Sequence, residues 1–132
     1  MKARDKVRSV EREKYKVFVG RAEQLFRTMK KANEAGDTIA AGINGVQCAI
    51  ALVDAVTVAY SGDLSAGKSH DEAAKLLHDS RAKGAADRVS SFKRVLELKY
   101  LLEYDATTAT DQEVADLLER VVRLHRWALS VL

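Results

Sequence analysis

Apolar residues along the chain fall into stretches with the spacing of helices. From about residue 10 to 34, Phe18, Ala22, Leu25, Phe26, Met29 and Ala32 recur at steps of three and four, which predicts a long helix with one apolar face. Gly36 and Asp37 stop that pattern and allow a restart. From about 38 to 61 small and apolar residues take nearly every position, as expected of a helix buried on all sides at the centre of a fold. Residues 62–68 read as a loop. Ser69 and Glu72 have the S-x-x-E spacing of a capping box, so a short helix is expected over about 70–80.

After Gly84, Val89, Phe92, Val95, Leu96, Leu98 and Leu102 make the apolar side of a fourth helix that ends near Tyr104. Residues 105–109 break it. Thr110 and Glu113 form a second capping box, and a last helix follows through Val114, Leu117, Leu118, Val121, Val122, Leu124 and Trp127. The expectation is an all-α, up-and-down bundle of about five helices in a single domain, 1–132, without internal repeats.

Composition strengthens this reading. Among 132 residues there is no proline, so the commonest helix breaker is absent. Hydrophobic residues make up 47% of the chain, enough for a core. The net charge of +3 is a weak pointer to anionic partners, but the charge is uneven. Residues 1–16 carry seven Lys/Arg against three acids and read as a basic helical extension or arm. Cys48 is the one cysteine and sits in an apolar run, which suits a small core residue in a reducing compartment. The N-terminal charges are followed by no apolar signal core, and the apolar run 46–60 is short for a bilayer and holds Asp54. These features point to a cytoplasmic protein with no membrane contact.

One motif stands out against this helical background. Residues 62–69, GDLSAGKS, fit the phosphate-binding loop pattern G-x-x-x-x-G-K-[ST]. That loop works between a strand and a helix of a parallel sheet, where backbone N–H groups and the lysine converge on phosphates. The strand-like candidate is 55–60, AVTVAY, and one strand is not a sheet. The glycines therefore read as turn residues and Ser69 as a helix cap; an anion held by Lys68 and a helix start is the weaker functional version.

Other polar residues offer candidate chemistry. Asn44, Gln47 and Asp54 lie on one side of the second helix with Ala51, Val58 and Ser61, and such a stripe must meet water, a partner or hydrogen-bonding groups. Asp54 hydrogen-bonded or paired to a basic residue of a neighbouring helix is the expected arrangement, ahead of a ligand role. His70 and Asp71 open the third predicted helix, and His78 and Asp79 close it. His70 and His78, eight apart with no further convergent ligands, do not suggest a metal site, and no cofactor is implied.

Residues 49–79, AIALVDAVTVAYSGDLSAGKSHDEAAKLLHD, resemble small bacterial and archaeal HEPN-domain proteins. Ala49, Asp54, Ala55, Gly67, Lys68, His70, Leu76 and Leu77 carry the similarity. LELKYLLEYD (96–105) and the following DQEVADLLERVVRLHRWA resemble the last two helices of that family. The resemblance covers roughly residues 15–130. It implies an up-and-down helical bundle, usually dimeric, associated with RNA or nucleotides and often paired with a small nucleotidyltransferase, in toxin–antitoxin or defence systems. Some members are metal-independent ribonucleases with an R-x(4–6)-H pair lining a cleft between subunits.

This chain has one such pair, Arg120 and His125, with Val121 where the family has a polar residue. In that role Arg120 would stabilise phosphate charge and His125 would move a proton at the ribose 2′-hydroxyl or the leaving oxygen. On a regular helix a five-residue step turns by about 140°, so the two do not share a face. Structural partners are also at hand: Asp116 four before Arg120, Glu119 four before Arg123, and Trp127 four after Arg123. The leading expectation is a dimeric HEPN-like module that binds RNA, a nucleotide or a nucleotidyltransferase-type protein without robust catalysis. The alternatives are a metal-independent ribonuclease using Arg120 and His125, and an unrelated helical scaffold.

Overall fold

A computed structural model describes residues 7–66, 70–105 and 109–132, His70 by its backbone alone. Among them are five α-helices: α1 (Tyr15–Glu34), α2 (Thr38–Ser61), α3 (His70–Asp79), α4 (Ala85–Tyr104) and α5 (Asp111–Val131). Two three-residue strands, β1 (Val7–Ser9) and β2 (Asp63–Ser65), and a 3-10 turn at Arg12–Lys14 complete the described elements. The all-α expectation therefore holds, and the five predicted helices are all present.

Helix α2 is the axis of the bundle. Its buried residues, among them Val46, Cys48, Ala49, Leu52, Val53 and Val56, lie on every side, and α1, α3, α4 and α5 all pack against it. By length and composition α2 could cross a bilayer, but most of its apolar surface beyond Ile39 and Ile43 is taken up by the other helices. Small residues set how closely they approach. A Cβ on Gly42 would lie 2.8 Å from Leu102 Cδ1, and one on Gly45 would lie 3.2 Å from the Met29 sulfur and 3.3 Å from Leu118 Cδ2. Side chains of α1, α4 and α5 thus meet over the first turns of α2.

The ends are tied by polar contacts. Gly36 (φ +81°) turns the chain between α1 and α2. The Tyr60 hydroxyl donates to the Val131 carbonyl at 2.6 Å, so α2 and α5 end side by side. At the start of α5, Thr110 Oγ1 accepts from the Glu113 N–H and the Glu113 carboxylate accepts from the Thr110 N–H, both at 3.0 Å, which completes the predicted capping box. The Ser69–Glu72 box lies outside the described residues, because Ser69 is not among them.

The segment 55–60, strand-like by composition, is the last part of α2, in line with the helix expected over about 38–61, since β-branched residues are tolerated in a helix whose sides are largely buried. Two expectations need correcting. The first helix begins at Tyr15 rather than near residue 10. The described part of the basic arm is not α-helical before that point: a 3-10 turn covers Arg12–Lys14, and β1 pairs antiparallel with β2, Val7 opposite Ser65 and Ser9 opposite Asp63. Gly62 makes this pairing available. It ends α2 in the left-handed conformation (φ +67°), and its carbonyl accepts from the Val10 N–H at 2.8 Å. The first residues of the phosphate-loop match are thus a helix cap and an antiparallel strand. No parallel sheet exists among the described residues, and Gly67, Lys68 and Ser69 lie outside them.

Gly84 joins this framework to α5. It takes φ +82° just before α4, and a Cβ there would lie 3.1 Å from the Trp127 indole nitrogen, which donates to the Lys83 carbonyl at 2.8 Å. Gly84→Ala is expected to lower stability by about 1–2 kcal/mol from the backbone conformation alone, with loss of the indole hydrogen bond adding to it. Urea denaturation followed by Trp127 fluorescence measures both, since the emission reports the indole's surroundings.

Candidate functional site

The residues with most chemical potential lie on α5. Its inward stripe, Val114, Leu117, Val121, Leu124 and Ala128, is buried and fixes the rotation of the helix. Arg120 and His125 project from either side of that stripe. Arg120 Nε donates to Asp116 Oδ2 at 2.8 Å and its Nη1 donates to Ser91 Oγ on α4 at 3.2 Å. His125 turns the other way. Its Nε2 bonds the Glu23 carboxylate of α1, and its ring stacks on Phe26 with centroids 3.9 Å apart and planes within 1°. The His125 side chain is 17% exposed. The two residues of the R-x(4–6)-H match are therefore engaged with different helices of the same chain, as the rotation of about 140° requires.

Their neighbours partly follow expectation. The pairs Asp116–Arg120 and Glu119–Arg123 form, at 2.8 and 3.2 Å. The cation over Trp127 is not Arg123 but Arg88 of α4, 5.8 Å from the ring centroid. Arg123 is drawn toward Glu119 on the exposed side, while the indole faces inward. Arg88 Nε is buried and has no hydrogen-bond partner among the described residues.

On α2 two members of the polar stripe, Asn44 and Ser61, are satisfied by their own helix. Asn44 Nδ2 donates to the Ala40 carbonyl at 2.8 Å and Ser61 Oγ to the Thr57 carbonyl at 2.9 Å. Ala51 and Val58 are buried. Asp54 is the exception. Burial pushes its carboxyl up and the Arg21 guanidinium on α1 pulls it part of the way back, leaving it raised to about 7. A basic residue of the neighbouring helix does influence Asp54, but as a nearby charge and not a close ion pair. Cys48, whose thiol donates to the Ala22 carbonyl at 3.4 Å, is pushed up to about 12 by burial and by the nearby Glu23 charge, so it is a core thiol and not a nucleophile at neutral pH. Lys68 and the side chain of His70 lie outside what is described. Among the described residues no three His, Cys, Asp or Glu gather as a metal site would need.

Two features were not read from the sequence. Glu23, the partner of His125, is 102 positions away, and no local spacing signals it. A second feature is the groove between α1 and α5, of about 450 Å³, which has an apolar floor and several cations at its edge. The outward positions of α5 that line it are interleaved with the core stripe and merge with it in the sequence. Compared with known proteins, the chain matches no family model and no curated protein.

The Asp54 carboxyl has a definite sign in the pH dependence of stability. Its folded value of about 7 lies above the unfolded value of about 3.9, so the folded state holds the proton more tightly in between. Its contribution is fully present below about pH 4 and is lost as pH rises through 7. Asp54→Asn removes the proton exchange. The stability of the variant relative to the parent is expected to increase from pH 4 to 7 and then level off, as measured by urea denaturation across that range.

Proposed function

We propose that this chain is a HEPN-like helical module that acts by binding RNA, a nucleotide or a nucleotidyltransferase-type protein, as a dimer, and does not cut RNA. The observation that carries this reading is the engagement of Arg120 with Asp116 and Ser91 on one side, and of His125 with Glu23 and Phe26 on the other. A phosphate and a 2′-hydroxyl in one cleft need both side chains within hydrogen-bond reach of the same few atoms. Each of the two has instead a local structural duty. The resemblance of residues 15–130 to HEPN domains and the five-helix architecture support the module itself.

Support for self-association comes from apolar surface at one end of the bundle. A cleft of about 710 Å³ lies where α2 begins and α4 and α5 meet, and Ile39 and Ile43 line it while remaining 51% and 39% exposed. Leu102 and Val114 continue the apolar lining inward. Neighbouring exposed isoleucines over an apolar cleft are suited to pairing with a second copy.

RNA incubated in EDTA with purified protein should remain intact, and His125→Ala should behave as the parent does. Cleavage by the parent that disappears in His125→Ala, with the circular dichroism spectrum retained, would overturn the binding reading in favour of a metal-independent ribonuclease. Sedimentation tests the pairing. The parent is expected to sediment as a dimer at micromolar concentration, and the double change Ile39→Glu and Ile43→Glu to give a folded monomer.

A further inference from the structure

Helix α5 carries a second apolar stripe besides its core one. Ala115, Leu118, Val122, His125 and Leu129 follow one another at steps of three and four, the spacing of a helix seam that meets another helix. Leu118 packs over Gly45 of α2 and His125 meets Glu23 and Phe26 of α1, while Val122 and Leu129 are 37% and 40% exposed. Helices α1 and α5 both pack on α2 yet touch each other little, so their outer surfaces bound a groove. Its floor is Met29, Leu118 and Val122, and the His125–Phe26 stack lies along the same seam. Its rim carries Lys30, Arg123 and Arg126.

The charge on that rim is net positive, with Glu119 as the acid among its lining residues. Arg123 is paired with Glu119, whereas Lys30 and Arg126 have no ion-pair partner among the described residues. Lys30 lies 5.3 Å from the centroid of the Phe26 ring, which leaves its charge at the groove edge. Methyl groups and a thioether between two helices accept aliphatic side chains at helical spacing, and flanking cations favour carboxylates beside them.

We infer that the α1–α5 groove is the docking site for an acidic amphipathic helix of a partner protein. A second copy of this chain fits the groove poorly. A two-fold pairing there would set one cation-rich rim against another, and like charges across an interface disfavour association. A single-stranded nucleic acid is also the weaker match. Such sites stack bases on open aromatic faces, and the ring nearest the groove, Phe26, is stacked against His125. The inference rests on the reading of the chain as a binding module and names the partner's chemistry.

The test uses a fluorescent peptide of about 20 residues with leucines at i, i+3, i+4 and i+7 and glutamates on the flanks, titrated with the full chain and read by polarisation. Saturable binding is expected. It should weaken by about tenfold or more in the double variant Lys30→Glu and Arg126→Glu, and again in Val122→Glu, with the circular dichroism of each variant unchanged. A matched peptide with lysine flanks should bind at least about tenfold more weakly than the glutamate one.

No binding, or binding that ignores the variants or the peptide charge, overturns the inference. So does a parent dimer converted to monomer by Val122→Glu, which would assign the groove to a second copy. Displacement of the peptide by a single-stranded RNA oligonucleotide, with both losing affinity in the rim variant, would assign it to RNA. Failure of the peptide arm while RNA stays intact in EDTA removes only this occupant and leaves the binding-module reading standing. RNA cleavage that depends on His125 removes that reading, whatever the peptide does.

Discussion

The fold depends on one constraint: α2 must be surrounded. A helix of 24 residues with apolar or small side chains on every face has no side that water can wet at low cost. Four other helices supply the cover, and each is amphipathic enough to give α2 an apolar stripe and keep its own polar side outward. Gly42 and Gly45 determine how near they come. Without side chains at those positions Leu102, Met29 and Leu118 fill the space directly over the α2 backbone. This is close packing of the interior kind, in which the absence of a methyl group is itself a fitted feature.

The arrangement of polar groups follows from that cover. Once α5 is rotated to place Leu117, Val121 and Leu124 against α2, positions on its two flanks are directed at different helices. Arg120 reaches α4, His125 reaches α1, and Val122 is left over the groove. The separation of Arg120 from His125 and the opening of the α1–α5 groove are two consequences of the same rotation. Chemistry inside one chain is disfavoured by it, while a surface with apolar floor and cationic rim is produced by it.

The phosphate-loop match shows the limit of a short pattern. Gly62 is needed for its left-handed conformation at the end of α2, and the residues after it pair with β1 in an antiparallel ribbon. Glycine serves tight turns of many kinds, so it is a poor witness to any single chemistry. The context that would give the pattern meaning, a parallel strand running into the loop, is replaced by the last turns of a helix.

By itself the sequence determined the five helices, the central position of α2, the capping box at Thr110 and the Asp116–Arg120 and Glu119–Arg123 pairs. All of these are set by interactions within a few residues or by the periodicity of one face. The tertiary structure alone decided that His125 meets Glu23 and Phe26, that Arg88 and not Arg123 lies over Trp127, and that residues 7–9 pair with 63–65. It also divided the apolar residues of α5 into a covered stripe and an open one. Such contacts join positions tens of residues apart, and their geometry depends on how each helix is rotated against its neighbours. No local spacing encodes that rotation; it follows only when the whole set of apolar faces is packed around α2 at once.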